Sequence, residues 1–279
     1  PLQVKRFCVA DAANYCDELQ SIPGSATQKR FTCNGVLFGT EAHQNNVSKL
    51  LSSMNGSMVY TGGKYVINAG QYIAPGVNDI LTEDDLNGHV TLTTSTKRSD
   101  RFNTITGVFN DPDQLHKQVE FPKVQISSAV TRDNGEVLTK QIQLSMTNNV
   151  YMAQRLAYQM IKRSNDQMVL DFPANLKGLR VAIGDRVKVT INQFAGSEAD
   201  PISFVNKVFV CTNFSFTDSN AGGVNLTLIE DTEANYYDAT VTPALIMPVA
   251  AYSSVDLSDG SITDGFRGVP APSSLSAVG

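Results

Sequence analysis

The sequence has no tryptophan, only three histidines and no surplus of positive charge. Each shortage removes a class of function. Platforms that hold sugar rings lean on broad aromatic faces, so the missing tryptophan counts against a carbohydrate-binding surface. His43, His89 and His116 are never four apart, and none stands in an H-E-x-x-H frame. No helix therefore presents a paired metal site. Twenty-seven acidic side chains against 22 basic ones give a net charge of −5. A slightly acidic wall repels phosphate, so no specific nucleic-acid binding is expected. No apolar run approaches the ~20 residues that cross a bilayer, so no membrane span is expected. The N-terminus has no basic-then-apolar signal pattern.

Cysteine is scarce as well. Cys8, Cys16, Cys33 and Cys211 include no C-x-x-C pair, which speaks against a zinc ribbon or redox motif. They read as buried free thiols of a reducing compartment. Gly62-Gly63-Lys64 lacks the G-x-x-x-x-G-K-[ST] frame of a phosphate loop and reads as a hairpin turn. No G-x-S-x-G elbow occurs, and nothing near Cys16 marks a base that would activate it. Glu83-Asp84-Asp85 reads as acids in a first helical turn, favoured by the dipole, rather than a cation site or a glycosidase carboxylate pair. Asp111-Pro112-Asp113 reads the same way. Asp218, Asn220, Asp231 and Glu233 miss EF-hand spacing. The catalytic, cofactor and metal sets are all read as empty, and no enzyme is expected.

What is present is material for a core. Hydrophobic residues make up 42% of the 279 and charged residues 18%, which suits a folded chain of about two domains. Ala10 to Ser21 predicts a short helix, and Arg30 to Leu37 a strand broken by Asn34-Gly35. Val47, Leu50, Leu51 and Met54 sit at helical spacing within Ala42 to Asn55, with Thr40 as N-cap and Gly56 after the end. A hairpin follows (Ser57 to Tyr60, Lys64 to Ala69), then a capped turn at Thr82 to Leu86 and a strand at Val90 to Thr94. Lys97-Arg98-Ser99-Asp100-Arg101 reads as a solvated linker, with salt bridges across a subunit contact as the alternative.

Beyond it, strands are predicted at Phe102 to Phe109, Phe121 to Ser127 and Gln141 to Met146. The longest helix is predicted from Asn148 to Ser164, with Met152, Ala153, Leu156, Ala157, Met160 and Ile161 inward and Arg155, Lys162 and Arg163 on the wet side. Strands then follow at Met168 to Phe172, Arg186 to Asn192, Phe204 to Thr212, Asn213 to Thr217 and Val224 to Glu230, with a turn at Asn220 to Gly223. Short, regularly spaced strands point to a barrel or sandwich. From Pro243 the chain reads as an extended linker.

Several runs carry a family likeness. They are Asn34-Gly35, Val47 to Gly56, Met58-Val59-Tyr60, Gly62-Gly63-Lys64, Leu81 to Leu86, Asp100 to Asn103, Gly107-Val108-Phe109, Asp111-Pro112, Ala153 to Ala157 and Ile183 to Val187. In this order they resemble the central hub region of the phage tail tip attachment protein J family, the tail tip or baseplate hub proteins of lambda-like siphophages. Val269 to Val278 resembles the opening of a fibronectin type III domain, which in this family follows the hub. By that likeness Pro1 is an internal residue; processing is the other explanation.

Spacing and turns divide the chain into a small α+β domain over residues 1–98, a β-rich domain with one long helix over 99–242 and a linker over 243–279; the resemblance implies matching hub domains, the second barrel-like, and so a β-rich α+β fold. It implies a virion structural protein assembled in the bacterial cytoplasm, a homotrimer that closes the tail tube. Its partners would be the tail tube, other tail tip proteins, the tape measure protein and, through domains outside this chain, the host receptor. Host attachment and DNA ejection would follow. The rival expectations are a tail-associated cell-wall or glycan hydrolase and a receptor-binding adhesin.

Overall fold

Alternation shapes the larger sheet. Val187, Val189 and Ile191 are buried while Lys188 and Thr190 between them are partly exposed. Leu170, Phe172 and Ala174 repeat the pattern, as do Val224, Leu226 and Leu228. A strand turns successive side chains to opposite faces, so each of these segments has one face to bury. In the computed structural model they share one six-stranded sheet. The structure describes residues 9–23, 26–61, 64–77, 79–94, 101–165, 168–191, 204–217 and 222–236.

The chain opens with helix α1 (Val9–Asp17) and a hairpin of β1 (Leu19–Ile22) and β2 (Ala26–Lys29). Helix α2 (His43–Ser52) leads into the hairpin β3 (Ser57–Thr61) and β4 (Lys64–Asn68). Next come β5 (Ile80–Thr82), a tight turn at Glu83–Asp85 and β6 (Thr91–Thr93). Strands β7 (Thr104–Asp111), β8 (Lys117–Glu120) and β9 (Val124–Gln125), helix α3 (Ser127–Arg132) and β10 (Thr139–Leu144) precede the long helix α4 (Val150–Asn165). The last strands are β11 (Val169–Ala174), β12 (Arg186–Ile191), β13 (Phe204–Thr217) and β14 (Gly223–Glu230). The result is the expected β-rich α+β fold.

The larger sheet runs β5-β12-β13-β14-β11-β6 and does not close into the barrel that the strand spacing led us to expect. Its edges, β5 and β6, are three residues each and pair inward, with β12 and β11, rather than with each other. The chain between them is taken up by the Glu83–Asp85 turn and a single bridge from Leu86 to Ala174. Leu81 from one edge and Leu92 from the other still join the same apolar cluster as Phe172, Phe209 and Leu226. The sheet curls round one interior without sealing it. Each fully buried Phe or Leu there contributes roughly 1.5–3 kcal/mol.

A second, four-stranded sheet has the order β10-β7-β8, with β9 also on β7, and β7 and β10 run parallel. Helix α4 lies on it. Met152, Ala153, Leu156, Ala157 and Ile161 pack with Ile105, Phe109, Phe121 and Leu144, and with Tyr15, Phe31 and Ala69 from the first part of the chain. Strands from both sides of residue 98 thus share the larger sheet, and residues from both sides share the second cluster.

Local structure departs from the sequence reading at several places: Leu19 to Ser21 belong to β1 and not to the first helix, and of the predicted Phe121 to Ser127 strand only Val124–Gln125 is strand. Residues 31–38 form no strand. They are laid over the second cluster instead, with Asn34 N donating to Met146 O at 2.9 Å and Gly35 so close to Met146 that a Cβ would sit 2.3 Å from its sulfur. Helix α2 starts after Ala42 with no side-chain cap, so Thr40 does not cap it. At its end Asn55, not Gly56, takes the left-handed conformation (φ 48°), and Gly56 N donates to Leu51 O. Arg155 is fully buried, not on the wet face of α4: its Nη2 donates to the carbonyls of Arg30 (3.1 Å) and Lys29 (3.3 Å), tying the end of β2 to the helix. The Gly62-Gly63 turn, most of the Lys97 to Arg101 run, residues 218–221 and everything after Tyr236 lie outside the described residues.

Candidate functional site

The sequence candidates do not converge. Among the described residues no three His, Cys, Asp or Glu side chains stand together as a metal site. Asp85 serves its own turn: it accepts from Thr82 N at 3.0 Å, from the Thr82 hydroxyl at 3.1 Å and from Lys177 Nζ at 2.7 Å. Burial alone would raise its carboxyl; the hydrogen bonds from Lys177 and Thr82 outweigh that and hold it below the usual range. Asp111 caps the Pro112–Gln114 turn by accepting from Asp113 N. Burial, with help from Asp17, pushes the Cys16 thiol up, away from nucleophilic character. Cys211 is buried and pushed up to about 12, chiefly by desolvation. Cys33 is exposed, contrary to the expectation of burial, and Cys8 lies outside the described residues.

The densest polar site is one that local spacing does not reveal. Arg186, at the start of β12, donates through Nε to Asp231 Oδ2 at 2.7 Å. Its Nη2 donates to Tyr236 Oη at 2.6 Å and Gln71 O at 3.1 Å, and Tyr236 Oη donates in turn to Asp231 at 3.0 Å. The guanidinium lies 5.1 Å from the Tyr72 ring centre and 5.3 Å from that of Tyr236. Burial works to lower the Arg186 pKa, but Tyr236 and Asp231 raise it further, so the cation is secure. Burial also raises the phenols of Tyr236 and Tyr72, so both stay neutral. Arg163, on α4, lies 6.0 Å from the Tyr236 ring. The node therefore joins the larger sheet, the segment after β4, the Glu233–Asn235 turn and the helix of the second cluster.

Beside it runs a groove of about 600 Å³ between α4 and β10 on one side and β13 and β14 on the other. Ile142, Met160, Val210 and Ile229 give it an apolar floor. Glu230 at its edge is paired with Lys207 at 2.9 Å, and Asp231 is held by Arg186. Lys140 and Arg163, also in its lining, lie over the rings of Phe102 and Tyr236, and among the described residues no nucleophile and base face each other across it.

No protein-family model matches the chain. No curated protein matches it. Solved structures do. A chain of the virion of a native gene transfer agent particle superposes with a TM-score of 0.54 at 11% identity, over 73% of this chain and 42% of that one. The tail protein from Neisseria meningitidis MC58 gives 0.51 at 15% identity, over 72% of this chain and 60% of that one. The likeness is one of fold. This chain spans less than two thirds of the length of either.

Contact surfaces are what the fold leaves over. On the β3–β4 hairpin Tyr60 opposes Tyr65 with ring centres 5.0 Å apart, and both rings are largely exposed beside Met58. Val36, Leu37 and Phe38 stand out from the loop before α2. Phe216 near the end of β13 is 76% exposed. Exposed aromatic clusters are the usual substance of protein–protein contacts. The sequence reading named the hairpin but not this face, because the pairing of Tyr60 with Tyr65 appears only once the register is fixed.

Proposed function

We propose that this chain is a structural component of a phage tail, at the tail tip, where it closes the tube and links it to the host-recognition apparatus. The observation that carries the reading is the shared fold with a tail protein and a virion chain over nearly three quarters of this sequence. The ordered runs from Asn34 to Val187 that resemble the tip attachment family narrow it to the hub. In this reading copies form a ring of three, meet the tail tube and other tip proteins, and pass host attachment to domains outside this chain. The surface supports it: apolar side chains on a hairpin and a loop are suited to permanent neighbours rather than to a substrate.

Antibody raised against this chain and imaged on intact particles tests the assignment. Label should decorate the tail end distal to the head. Label along the whole tail, or none on particles, would overturn the tip placement. The hydrolase reading makes the opposite demand: release of soluble fragments from purified peptidoglycan or capsule by the chain alone. The adhesin reading requires the chain alone to bind host cells.

A further inference from the structure

Strand β13 outruns its neighbour. Its pairing with β12 extends from Phe204 opposite Ile191 to Val210 opposite Arg186. The last backbone bonds on that side join Cys211 N to Asp185 O at 2.9 Å and Gly184 N to Cys211 O at 2.7 Å. From there to Thr217 the strand is held by β14 alone, and among the described residues no strand covers its other side. A bulge between Cys211 and Asn213 marks the change.

The same segment carries misplaced apolar surface. Phe214 pairs with Leu226 and Phe216 with Val224. Cross-strand partners share a face, and Leu226 and Val224 belong to the buried interior. The two phenylalanines therefore continue the inner face beyond the point where it is covered. Their rings meet edge-to-face at 5.3 Å, and Phe216 is left largely in solvent. An open edge is normally protected by a charge or a proline. Thr212 to Thr217 has neither. Within the segment, Asn213 Oδ1 accepts from Phe214 N at 3.0 Å.

We propose that this edge pairs antiparallel with the same edge of a second copy, about a two-fold axis through Ser215. The order of residues selects the occupant. Reading outward from Ser215, phenylalanine comes next in both directions. An antiparallel pair centred there sets Phe214 against the partner's Phe216 on one face, while Ser215 meets the partner's Ser215 on the other. No like charges oppose each other, because the segment carries none. A register slip of one residue would set phenylalanine against serine and turn one copy's aromatic face away. A contact that uses one surface twice is isologous, whereas a ring uses two different faces. A dyad cannot relate the three copies of one ring, so the pairing joins a copy outside that ring; it goes beyond the hub reading and stands or falls separately from it.

The test uses the full chain. Sedimentation across a concentration series should reveal a dimer, and Phe216→Lys should weaken it roughly tenfold or more while leaving the thermal midpoint of the monomer in place, since that side chain is mostly solvated. In a Cys33→Ser background, Ser215→Cys should cross-link copies under mild oxidation, and peptide mapping should place the link between the two substituted positions. Thr227→Cys on β14 should give no such link. A chain that stays monomeric throughout, an assembly indifferent to Phe216→Lys, or cross-linking as efficient at Thr227 as at Ser215 overturns the proposal. Self-association of any kind without the Ser215 link does so too.

Discussion

Replacing Asp231 by alanine should be among the costliest single changes in the molecule. The Asp231 side chain is 5% exposed and that of Arg186 9%. Oδ2 of Asp231 accepts both the Arg186 Nε bond and the Tyr236 hydroxyl. Without it the guanidinium remains buried, with the Tyr236 oxygen and the Gln71 carbonyl as its acceptors in the node and two tyrosine faces beside it. Breaking a buried pair by removing one partner costs about 3–5 kcal/mol. The ring faces stay in place and offset part of that, on the order of 1 kcal/mol, so about 3 kcal/mol is the expected net loss. In a chain of this size that lowers the thermal midpoint by about 6–12 °C, read by calorimetry or by circular dichroism. The decisive comparison is the double variant Arg186→Met with Asp231→Ala. With neither charge left to desolvate, it should recover much of the single-variant loss. A midpoint for Asp231→Ala within about 2 °C of the parent, or a double variant as unstable as the two single losses added together, would refute the account of the node as a paired, desolvated charge.

Gly107→Ala should destabilise strongly, by about 1–3 kcal/mol or more, because the new methyl would lie 2.2 Å from Ile142 O in the parallel partner strand; Gly35→Ala should cost less, since its nearest obstacle is the flexible Met146 side chain, and paired urea titrations would rank the two. The depressed Asp85 carboxyl contributes stability that is fully present above the unfolded carboxylate value near 4 and is lost as pH falls through the lower folded value. Asp85→Asn should therefore flatten the acid limb of a pH–stability curve, and an unchanged limb would remove this carboxyl from its causes. Replacing both Tyr60 and Tyr65 by serine should cost no more than about 1 kcal/mol of fold stability, the worth of one cross-strand pair, while impairing assembly of particles. Normal assembly would show that the hairpin face has no partner.

What the sequence disclosed was what local periodicity controls. The alternation of β12 and β14, the three-and-four spacing of α4 and the β3–β4 hairpin were all legible, because each depends on residues within a few positions of one another. The capped turn at Thr82 to Leu86 was legible for the same reason, though its anchor Lys177 was not. Helix α3 follows the predicted Phe121 to Ser127 strand, where no element was expected: it starts after Ile126 with no side-chain cap and spans only Ser127–Arg132. Arg155 was assigned to solvent because charge outweighs position in a periodicity argument, whereas its partners are carbonyls 125 and 126 residues away. The barrel expectation failed for a similar reason. Strand number and spacing suit closure, but closure depends on whether β5 and β6 pair with each other, a contact between edges that no local pattern records; each pairs inward instead, with β12 and β11.

The fate of the buried polar groups separates structural from functional chemistry. Arg155 holds the end of β2, Arg186 and Asp231 join the start of β12 to the end of β14, and Asp85 fastens its turn to Lys177, 92 residues along the chain. Asn103, fully buried, donates to Asp133 and to Glu136 O and accepts from Leu138 N, closing the loop before β10. Each of these groups is used in joining segments distant in sequence, where a lone polar group would otherwise incur a desolvation cost of about 1–3 kcal/mol. The exposed apolar residues have no such internal role. Tyr60 and Tyr65 cover little of either cluster, and Phe216 projects past the interior whose face it continues. Solvating such side chains gives the isolated chain no stability, since their transfer out of water is favourable. Their natural complement is another protein surface. On the proposed reading, the loss of a contact is the measurement to which Tyr60, Tyr65 and Phe216 should respond.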